Sequence, residues 1–270
     1  MTSSSTNPAT PVPRLVGVIH LAPLPESPRY EGDLAAVIAS AARDAEALAA
    51  AGFDGIIVEN FGDAPFIPGS VAPITVASMT ACAIAVRSAA PRVSLGINVL
   101  RNDAEAALAI AVASGADLIR INVHTGARVT DQGLIEGRAH LTVRQRRALG
   151  AERVRLFCDV DVKHSAALAP RPIGEEAHDL ASRGLADAVL VTGSGTGRGV
   201  AVRDLEAVLS EVGATPVLVA SGVTLATLGD VRRAHGVIVG TCLRTSGRAG
   251  DPVDAALARQ FASAFHASRA

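Results

Sequence analysis

A single lysine lies in a polar segment whose residue types suit proton transfer. Lys163 is the only lysine among the twenty-five basic residues of the chain, and residues 158–164 around it also contain Asp159 and Asp161. A chain that uses arginine almost everywhere else is expected to keep lysine where arginine would fail. Of these two residues, only lysine readily loses its proton on burial and then acts as a base or forms a Schiff base. The alternative is a leftover surface lysine, which the alternating pattern of the segment disfavours.

Two predicted strands each carry polar side chains on one face. Alternate residues of a strand share a face, and the positions between them are valine or isoleucine, which suit the helix-covered outside of a barrel. The polar members are Arg120, Asn122 and His124 in the fourth strand, and Asp159, Asp161 and Lys163 in the fifth. Because unpaired buried charges are costly, such a cluster in a barrel mouth is usually functional. For Arg120 alone, a purely structural pair with Asp159 is an equal alternative.

Further polar residues stand at the ends of other predicted strands, and the carboxyl ends of barrel strands meet at one face. The candidate catalytic residues are Lys163, Asp159, Asp161, Glu59 and His124. The candidate substrate-binding residues are His20, Asn98, Arg120, Asn122, His164 and Thr192. The sequence therefore predicts acid-base or Schiff-base chemistry in a polar barrel mouth.

Glycine-rich segments follow the last three predicted strands. In barrels, the loops after the seventh and eighth strands often bind phosphate through backbone N–H groups. Glycine allows close approach of the backbone, although a single such loop could equally be an ordinary turn. The candidate phosphate-binding residues are Gly193, Ser194 and Gly195 after the sixth strand, Ser221 and Gly222 after the seventh, and Gly240 and Thr241 after the eighth.

A metal site is a weaker interpretation of some of the same residues. A mixed nitrogen and oxygen site could be built from His20, Glu59, His124, Asp159, Asp161 and His164. No His-x-His or His-Glu-x-x-His spacing supports it, and a charge-neutralised lysine site explains these residues equally well. We therefore predict no cofactor and no metal ligands, while a divalent metal stays open.

Eight short β-branched segments alternate with alanine-rich helical ones. The predicted strands are 15–21, 55–60, 94–100, 118–123, 154–162, 188–192, 216–221 and 236–241. Eight such units in this length predict one (β/α)8 barrel, or TIM barrel, with its active site at the carboxyl ends of the strands. A doubly wound open sheet is the alternative, but no Gly-x-Gly-x-x-Gly follows the first strand.

Composition narrows the partners and the compartment. A net charge of -1 and a pI near 6.7 give no general attraction to nucleic acid or to anionic membranes. Three separated cysteines without a Cys-x-x-Cys pair suit a reducing cytoplasm. No apolar run is long enough to span a membrane. Residues 1–13 are predicted to form a disordered tail and residues 14–270 one barrel domain, which we expect to form a homo-oligomer.

These segments together resemble the BtpA/SgcQ family, from about residue 15 to residue 261. The matching runs are 17–21, 54–63, 96–103, 120–124, 130–133, 159–164 and 191–193. The resemblance implies a phosphate-binding TIM barrel and adds Asp131 to the expected substrate-binding residues. The family's cyanobacterial namesake is linked to photosystem I accumulation, whereas bacterial relatives lie among sugar-metabolism genes.

Three functions follow from these observations. The preferred one is an enzyme acting on a small phosphorylated sugar or phosphoribosyl compound, as an isomerase, a lyase, or an enzyme of glycosyl transfer or hydrolysis. The second is a non-catalytic assembly or stability factor, which would need an exposed apolar patch. The third is a metal-dependent hydrolase.

Overall fold

The barrel predicted from the sequence is present. A computed structural model describes residues 11–193 and 199–269. Its barrel strands are β1 (Leu15–His20), β2 (Gly55–Glu59), β3 (Ser94–Asn98), β4 (Leu118–Ile121), β7 (Arg155–Asp159), β9 (Ala188–Val191), β10 (Val217–Ala220) and β11 (Gly236–Val239). They are parallel and close in that order, since β11 pairs with β1. The open doubly wound sheet is therefore wrong.

Helices surround the barrel on its outside. They are α1 (Leu34–Ala51), α2 (Pro73–Ala89), α3 (Ala104–Ser114), α4 (Ala139–Ala148), α5 (Ile173–Ser182), α6 (Val202–Glu211) and α7 (Ala255–Ala267). The helix predicted between β10 and β11 is wrong, because the described chain forms only a short 3-10 turn there, Leu228–Val231. Side-chain bonds from Thr224 and Thr227 to nearby backbone compete with a helix at this point.

The barrel interior changes from apolar to polar along its axis. The lower layers are filled by aliphatic and aromatic side chains such as Leu118, Phe157 and Leu190. Two residues further along β4 and β7, Arg120 and Asp159 point into the same interior. The intervening residues pack in the outer core against the helices, as predicted from strand alternation.

A small antiparallel sheet was not predicted. Its strands are β5 (Ala127–Thr130), β6 (Gly133–Glu136) and β8 (Ser165–Ala167), with β5 in the middle. β5 and β6 form a hairpin whose turn ends at Gly133, where φ is +96°, a value that favours glycine. β8 follows β7, so the sheet joins the loops after two adjacent barrel strands at the mouth.

The predicted tail includes three described residues. Val12 packs against the apolar interior at the lower end of the barrel, and its carbonyl oxygen lies 3.1 Å from Nε2 of His235. The division at residue 13 stays a prediction. No helix in the described part of the chain has the length and apolar character needed to cross a bilayer.

Three aspartates fasten the strands at the end opposite the mouth. Asp54, Asp117 and Asp187 each stand before a barrel strand, and each accepts a hydrogen bond from a backbone N–H near the start of the neighbouring strand. The distance is 2.8 Å from the N–H of Leu156 to Asp187, which also binds Arg146 at 2.6 Å. These three acids therefore have a structural role.

We predict that Asp187→Ala lowers the free energy of unfolding by about 1–3 kcal/mol, because it leaves a buried donor without its acceptor. Urea denaturation monitored by circular dichroism measures this change. Asp187→Asn keeps an acceptor and should lose less. Equal stability of the alanine variant and the wild type would show that these bonds do not fasten the strands.

Candidate active site

Arg120 occupies the centre of the polar interior. Its Nη1 donates to Oε1 of Glu59 at 3.0 Å, and its Nε and Nη2 donate to the two oxygens of Asp159 at 3.2 and 3.1 Å. All three residues are buried. Burial lowers the pKa of Arg120, but the Asp159 and Glu59 carboxylates outweigh it and raise that pKa above its ordinary value. The paired geometry thus favours the charged form of the guanidinium.

Two asparagines complete this arrangement, which we call the polar layer: Glu59, Asn98, Arg120, Asn122 and Asp159. The side-chain amide of Asn98 donates to Glu59 at 3.0 Å, and that of Asn122 donates to Asp159 at 2.7 Å. Burial raises the pKa of Glu59, but Arg120, His20, Asn98 and Lys163 together lower it more, so the net shift is downward. Oδ1 of Asn122 is buried and has no partner in the described structure. The layer therefore offers an acceptor that a bound molecule could use.

Lys163 lies over the polar layer and is half-buried. It lines one cavity together with His20, Glu59 and Arg120. Burial is the main cause that lowers the pKa of its amine, and Arg120 lowers it further, while Glu59 acts in the opposite direction. Within the described part of the chain Lys163 forms no ion pair, because Glu59 and Asp159 pair with Arg120 instead. An amine in this environment can act as a base or a nucleophile near neutral pH.

His20 stands beside this lysine as a neutral ring. Burial is the largest cause that lowers its pKa to about 4. Its Nε2 is 4.0 Å from Oε2 of Glu59, and its ring centroid is 4.8 Å from that of Phe61. Nδ1 is buried and has no partner in the described structure. His20 can therefore offer an uncharged donor or acceptor to a substrate.

The opposite wall of the cavity consists of the loops after β10 and β11, with Ser221, Gly222, Gly240 and Thr241. Ser221 and Gly222 have φ of +107° and +70°. The hydroxyl of Ser221 is buried without a partner in the described structure. Among residues 11–193 and 199–269, we find no acceptor for the backbone N–H groups of Ser221, Gly222 and Gly240. Unused donors on a glycine-rich loop are suited to an anion.

A buried arginine supports this wall from behind. Arg244 donates to the carbonyl oxygen of Gly240, to that of Val18 at 2.7 Å and to that of Asp251 at 3.1 Å. A side chain at residue 240 would meet the ring of His20 at 2.9 Å. The close packing therefore requires glycine at this position, and Arg244 fixes the direction of its peptide groups.

The cavity at the mouth is small, about 40 Å³. Larger clefts lie elsewhere, among them one of about 330 Å³ beside α3 and α4 and one of about 270 Å³ beside α5, both on the flank of the barrel. We place the functional site at the mouth because the buried charges and the unpartnered polar atoms converge there, and chemistry depends on those groups rather than on volume.

Two of the predicted catalytic residues lie outside this cluster. Asp161 pairs with Arg128 at 2.9 Å, and about half of its side chain (51%) is exposed. His124 is buried, and its Nε2 lies 2.8 Å from the carbonyl oxygen of Gly184. Gly184 belongs to the loop between α5 and the start of β9, at the end of the barrel opposite the mouth. The prediction of one shared face is wrong for both, because β4 ends at Ile121 and β7 at Asp159, and alternation fails beyond a strand end.

The remaining predicted residues lie at the rim or beyond the described structure. Thr192 donates its hydroxyl to the carbonyl oxygen of Asp161. Asp131 is exposed at the hairpin turn, and His164 is exposed with φ of +58°. Gly193 is buried two residues after the end of β9. The other two residues predicted to bind phosphate after this strand, Ser194 and Gly195, lie outside the described residues.

Sequence reasoning missed Arg101 and Arg244. Both are buried, and both influence groups at the mouth. Arg101 belongs to the run of residues 96–103 that carries the family resemblance, so that motif could have pointed to it. Among the described residues, no group of three or more histidine, cysteine, aspartate or glutamate side chains could hold a metal ion.

The chain resembles known proteins both in sequence and in fold. The sequence model of the BtpA family matches residues 12–267. The photosystem I biogenesis protein BtpA of Synechocystis sp. is 45% identical over 243 residues, covering 89% of this chain and 83% of that protein. An uncharacterized protein of Thermococcus kodakarensis is 46% identical over 249 residues, with 92% and 93% coverage.

Among solved structures, phosphoribosyl anthranilate isomerase from Thermus thermophilus has a TM-score of 0.56 and 14% sequence identity. The likeness covers 94% of this chain and 98% of that chain. At this level of identity it supports the barrel fold alone.

We predict that amine labelling of Lys163 has its pH midpoint below that of a lysine in an unstructured peptide. Burial lowers the pKa of Lys163, and Glu59 raises it. Glu59→Gln should therefore move the midpoint lower still. Because the chain has no other lysine, mass spectrometry can assign the label without ambiguity once the terminal amine is separated.

Glu152→Gln is the matched control, since Glu152 is an exposed acid on the loop before β7. It should leave the midpoint unchanged. A midpoint equal to that of the free peptide would place the amine in bulk water and remove Lys163 from the site.

Proposed function

Since the chain belongs to the BtpA family, we propose that its barrel mouth is the active site of an enzyme that acts on a phosphorylated sugar or phosphoribosyl compound. One observation carries this proposal. A single cavity is lined by Lys163, by Glu59 and Arg120 of the polar layer, and by the loops after β10 and β11.

The phosphate is bound by the loops after the seventh and eighth barrel strands. Ser221 supplies a buried hydroxyl, and Gly222 and Gly240 supply backbone N–H groups that have no acceptor in the described structure. A cavity of about 40 Å³ accommodates one small oxyanion-sized group. The rest of the substrate extends from there across Lys163 toward the rim.

The amine of Lys163 performs the chemical step. In its neutral form it takes a proton from a sugar carbon, or it adds to the carbonyl carbon of an open-chain sugar. In the second case, addition gives a carbinolamine; a proton delivered to its hydroxyl group through Glu59 lets one water molecule leave, and an iminium ion remains. Glu59 has one oxygen that the polar layer does not use, Oε2, and it receives or returns the proton.

Asp159 stabilises the site by charge instead of moving protons. Both of its oxygens accept hydrogen bonds, two from Arg120 and one from Asn122. Because the phosphate fixes the substrate, only small displacements separate isomerase, lyase, and glycosyl transfer or hydrolysis chemistry. The proposed function therefore covers all of these reaction types.

A second candidate function is a non-catalytic assembly factor, following the name of the relative from Synechocystis. The observation that favours it is the small sheet at the mouth. Val129, Leu134 and Leu168, on or next to its strands, are each exposed, and exposed apolar groups often mark interaction surfaces. This function needs no small ligand at the mouth, so ligand binding separates the two.

Three further statements remain proposals drawn from the sequence: a cytoplasmic location, association into a homo-oligomer, and a single domain over residues 14–270. The unpaired cysteines support the first, since all three are free.

We predict that ribose 5-phosphate binds and raises the melting temperature, whereas ribose does not. Gly222→Ala should weaken ribose 5-phosphate binding about tenfold or more, because φ of +70° disfavours alanine and the loop must shift. Gly247→Ala is the matched control, since Gly247 has φ of +68° and lies outside the cavity. Isothermal titration calorimetry gives both affinities.

Borohydride treatment in the presence of ribose 5-phosphate then reports on the lysine. A reduced adduct on Lys163 that is absent in Lys163→Met indicates an iminium intermediate. If the wild-type protein forms no such adduct, Lys163 acts as a base. Binding that is absent for all sugar phosphates, or that is unaffected by Gly222→Ala, would contradict the proposed function and favour the assembly factor.

A further inference from the structure

Arg101 is a buried cation that the proposed mechanism does not use. It follows β3 at the mouth and is only 6% exposed. Its Nη2 donates to the backbone carbonyl oxygen of Lys163 at 2.9 Å. The guanidinium thus lies directly against the segment that carries the lysine, within electrostatic reach of Asp159, Asp131, Arg120 and Glu59.

No carboxylate of the described structure lies close enough to the Arg101 guanidinium to form an ion pair. Glu59 and Asp159 are already paired with Arg120, and Arg101 forms no ion pair in the described part of the chain. Residues 194–198, Ser-Gly-Thr-Gly-Arg, contain no acidic side chain that could supply one. A buried arginine without a counter-ion is expensive, on the order of several kcal/mol, so an anion bound there would relieve that cost.

The guanidinium also has hydrogen-bonding capacity to spare. Its one side-chain hydrogen bond to the described residues uses Nη2, which leaves Nε and Nη1 without an acceptor there. A planar guanidinium with two free donor positions matches a planar oxyanion, which it can bind through two parallel hydrogen bonds.

We propose that Arg101 binds a carboxylate of the substrate, at the side of the mouth away from the phosphate loops. The proposal rests on the proposed function and narrows it to phosphorylated compounds that also carry a carboxylate. Glu59 and Asp159 already pair with Arg120. A carboxylate of the substrate is therefore the direct ion-pair partner of Arg101.

The positions of the free donors favour a carboxylate over a second phosphate. The unpartnered N–H groups that suit a phosphate lie on the opposite wall, whereas Arg101 presents one planar guanidinium. Asp131 lies exposed at the rim near Arg101. Its negative charge would disfavour a doubly charged group there and tolerate a singly charged one.

The single lysine provides a reporter for this site. Arg101 and Arg120 lower the pKa of Lys163, while Glu59 and Asp159 raise it, and His20 and His164 also lie within electrostatic reach. A carboxylate bound at Arg101 adds negative charge and must raise the pKa of Lys163. Sodium acetate should therefore slow amine labelling of the wild-type protein at fixed mildly alkaline pH by about threefold, relative to sodium chloride at equal ionic strength.

Arg101→Met should remove the acetate effect and, without acetate, slow the labelling by itself, because a neighbouring positive charge is lost. Arg147→Met is the matched control, since Arg147 is 83% exposed on α4, and it should behave as wild type. Melting curves confirm that the variants are folded, and the acetate titration of the wild-type protein stands without any variant.

The outcomes separate this proposal from the proposed function. If acetate has no effect on wild type, or the same effect on Arg101→Met, Arg101 does not bind a carboxylate, whether or not ribose 5-phosphate binds. If inorganic phosphate slows labelling through Arg101 and acetate does not, the site is a phosphate site and the carboxylate assignment is overturned. Ribose 5-phosphate has no carboxylate. Its failure to bind would therefore contradict the phosphate site on the loops after β10 and β11, and it would leave the carboxylate site at Arg101 to be judged by the acetate titration.

Discussion

The buried guanidinium of Arg120 is the interaction on which the mouth of this barrel depends. It holds Glu59 and Asp159 from strands on either side of β4, and Asn98 and Asn122 take up part of the remaining hydrogen-bonding capacity. Removing Arg120 would leave two carboxylates buried and unpaired, which is far more costly than never burying them. The strands therefore have to meet in one register, and the lowered pKa of Glu59 keeps that carboxylate ionised beneath the cavity.

That ionised layer determines what Lys163 can do. Its amine lies near both carboxylates without pairing with either, while burial and the adjacent arginines favour the neutral form. The opposite wall contributes donors and no acidic side chain, from Ser221, Gly222 and Gly240. A molecule that bridges the two walls needs an anion at one end and an electrophilic or acidic carbon near the amine, as a phosphorylated sugar has.

Strand alternation predicted the fold and the orientation of Arg120 and Asp159, because side chains inside a strand have a fixed period. The same rule failed for Asp161 and His124, which lie beyond the strand ends, where the backbone has no period. The hairpin of β5 and β6 was missed because its strands have four residues each and bury only one residue apiece, Arg128 and Ile135, so they show little apolar alternation. Arg101 was missed because it lies beyond the end of β3, where strand alternation does not apply, and because its contact with the carbonyl oxygen of Lys163 joins residues far apart in sequence.

The most direct test of this account is a crystal structure of the protein soaked with ribose 5-phosphate. The account predicts phosphate density within about 3 Å of the backbone N–H groups of Gly222 and Gly240, with the sugar carbons directed toward Nζ of Lys163. Phosphate density in a cleft on the flank, with the mouth filled only by water, or a Lys163 amine turned outward into solvent, would contradict it.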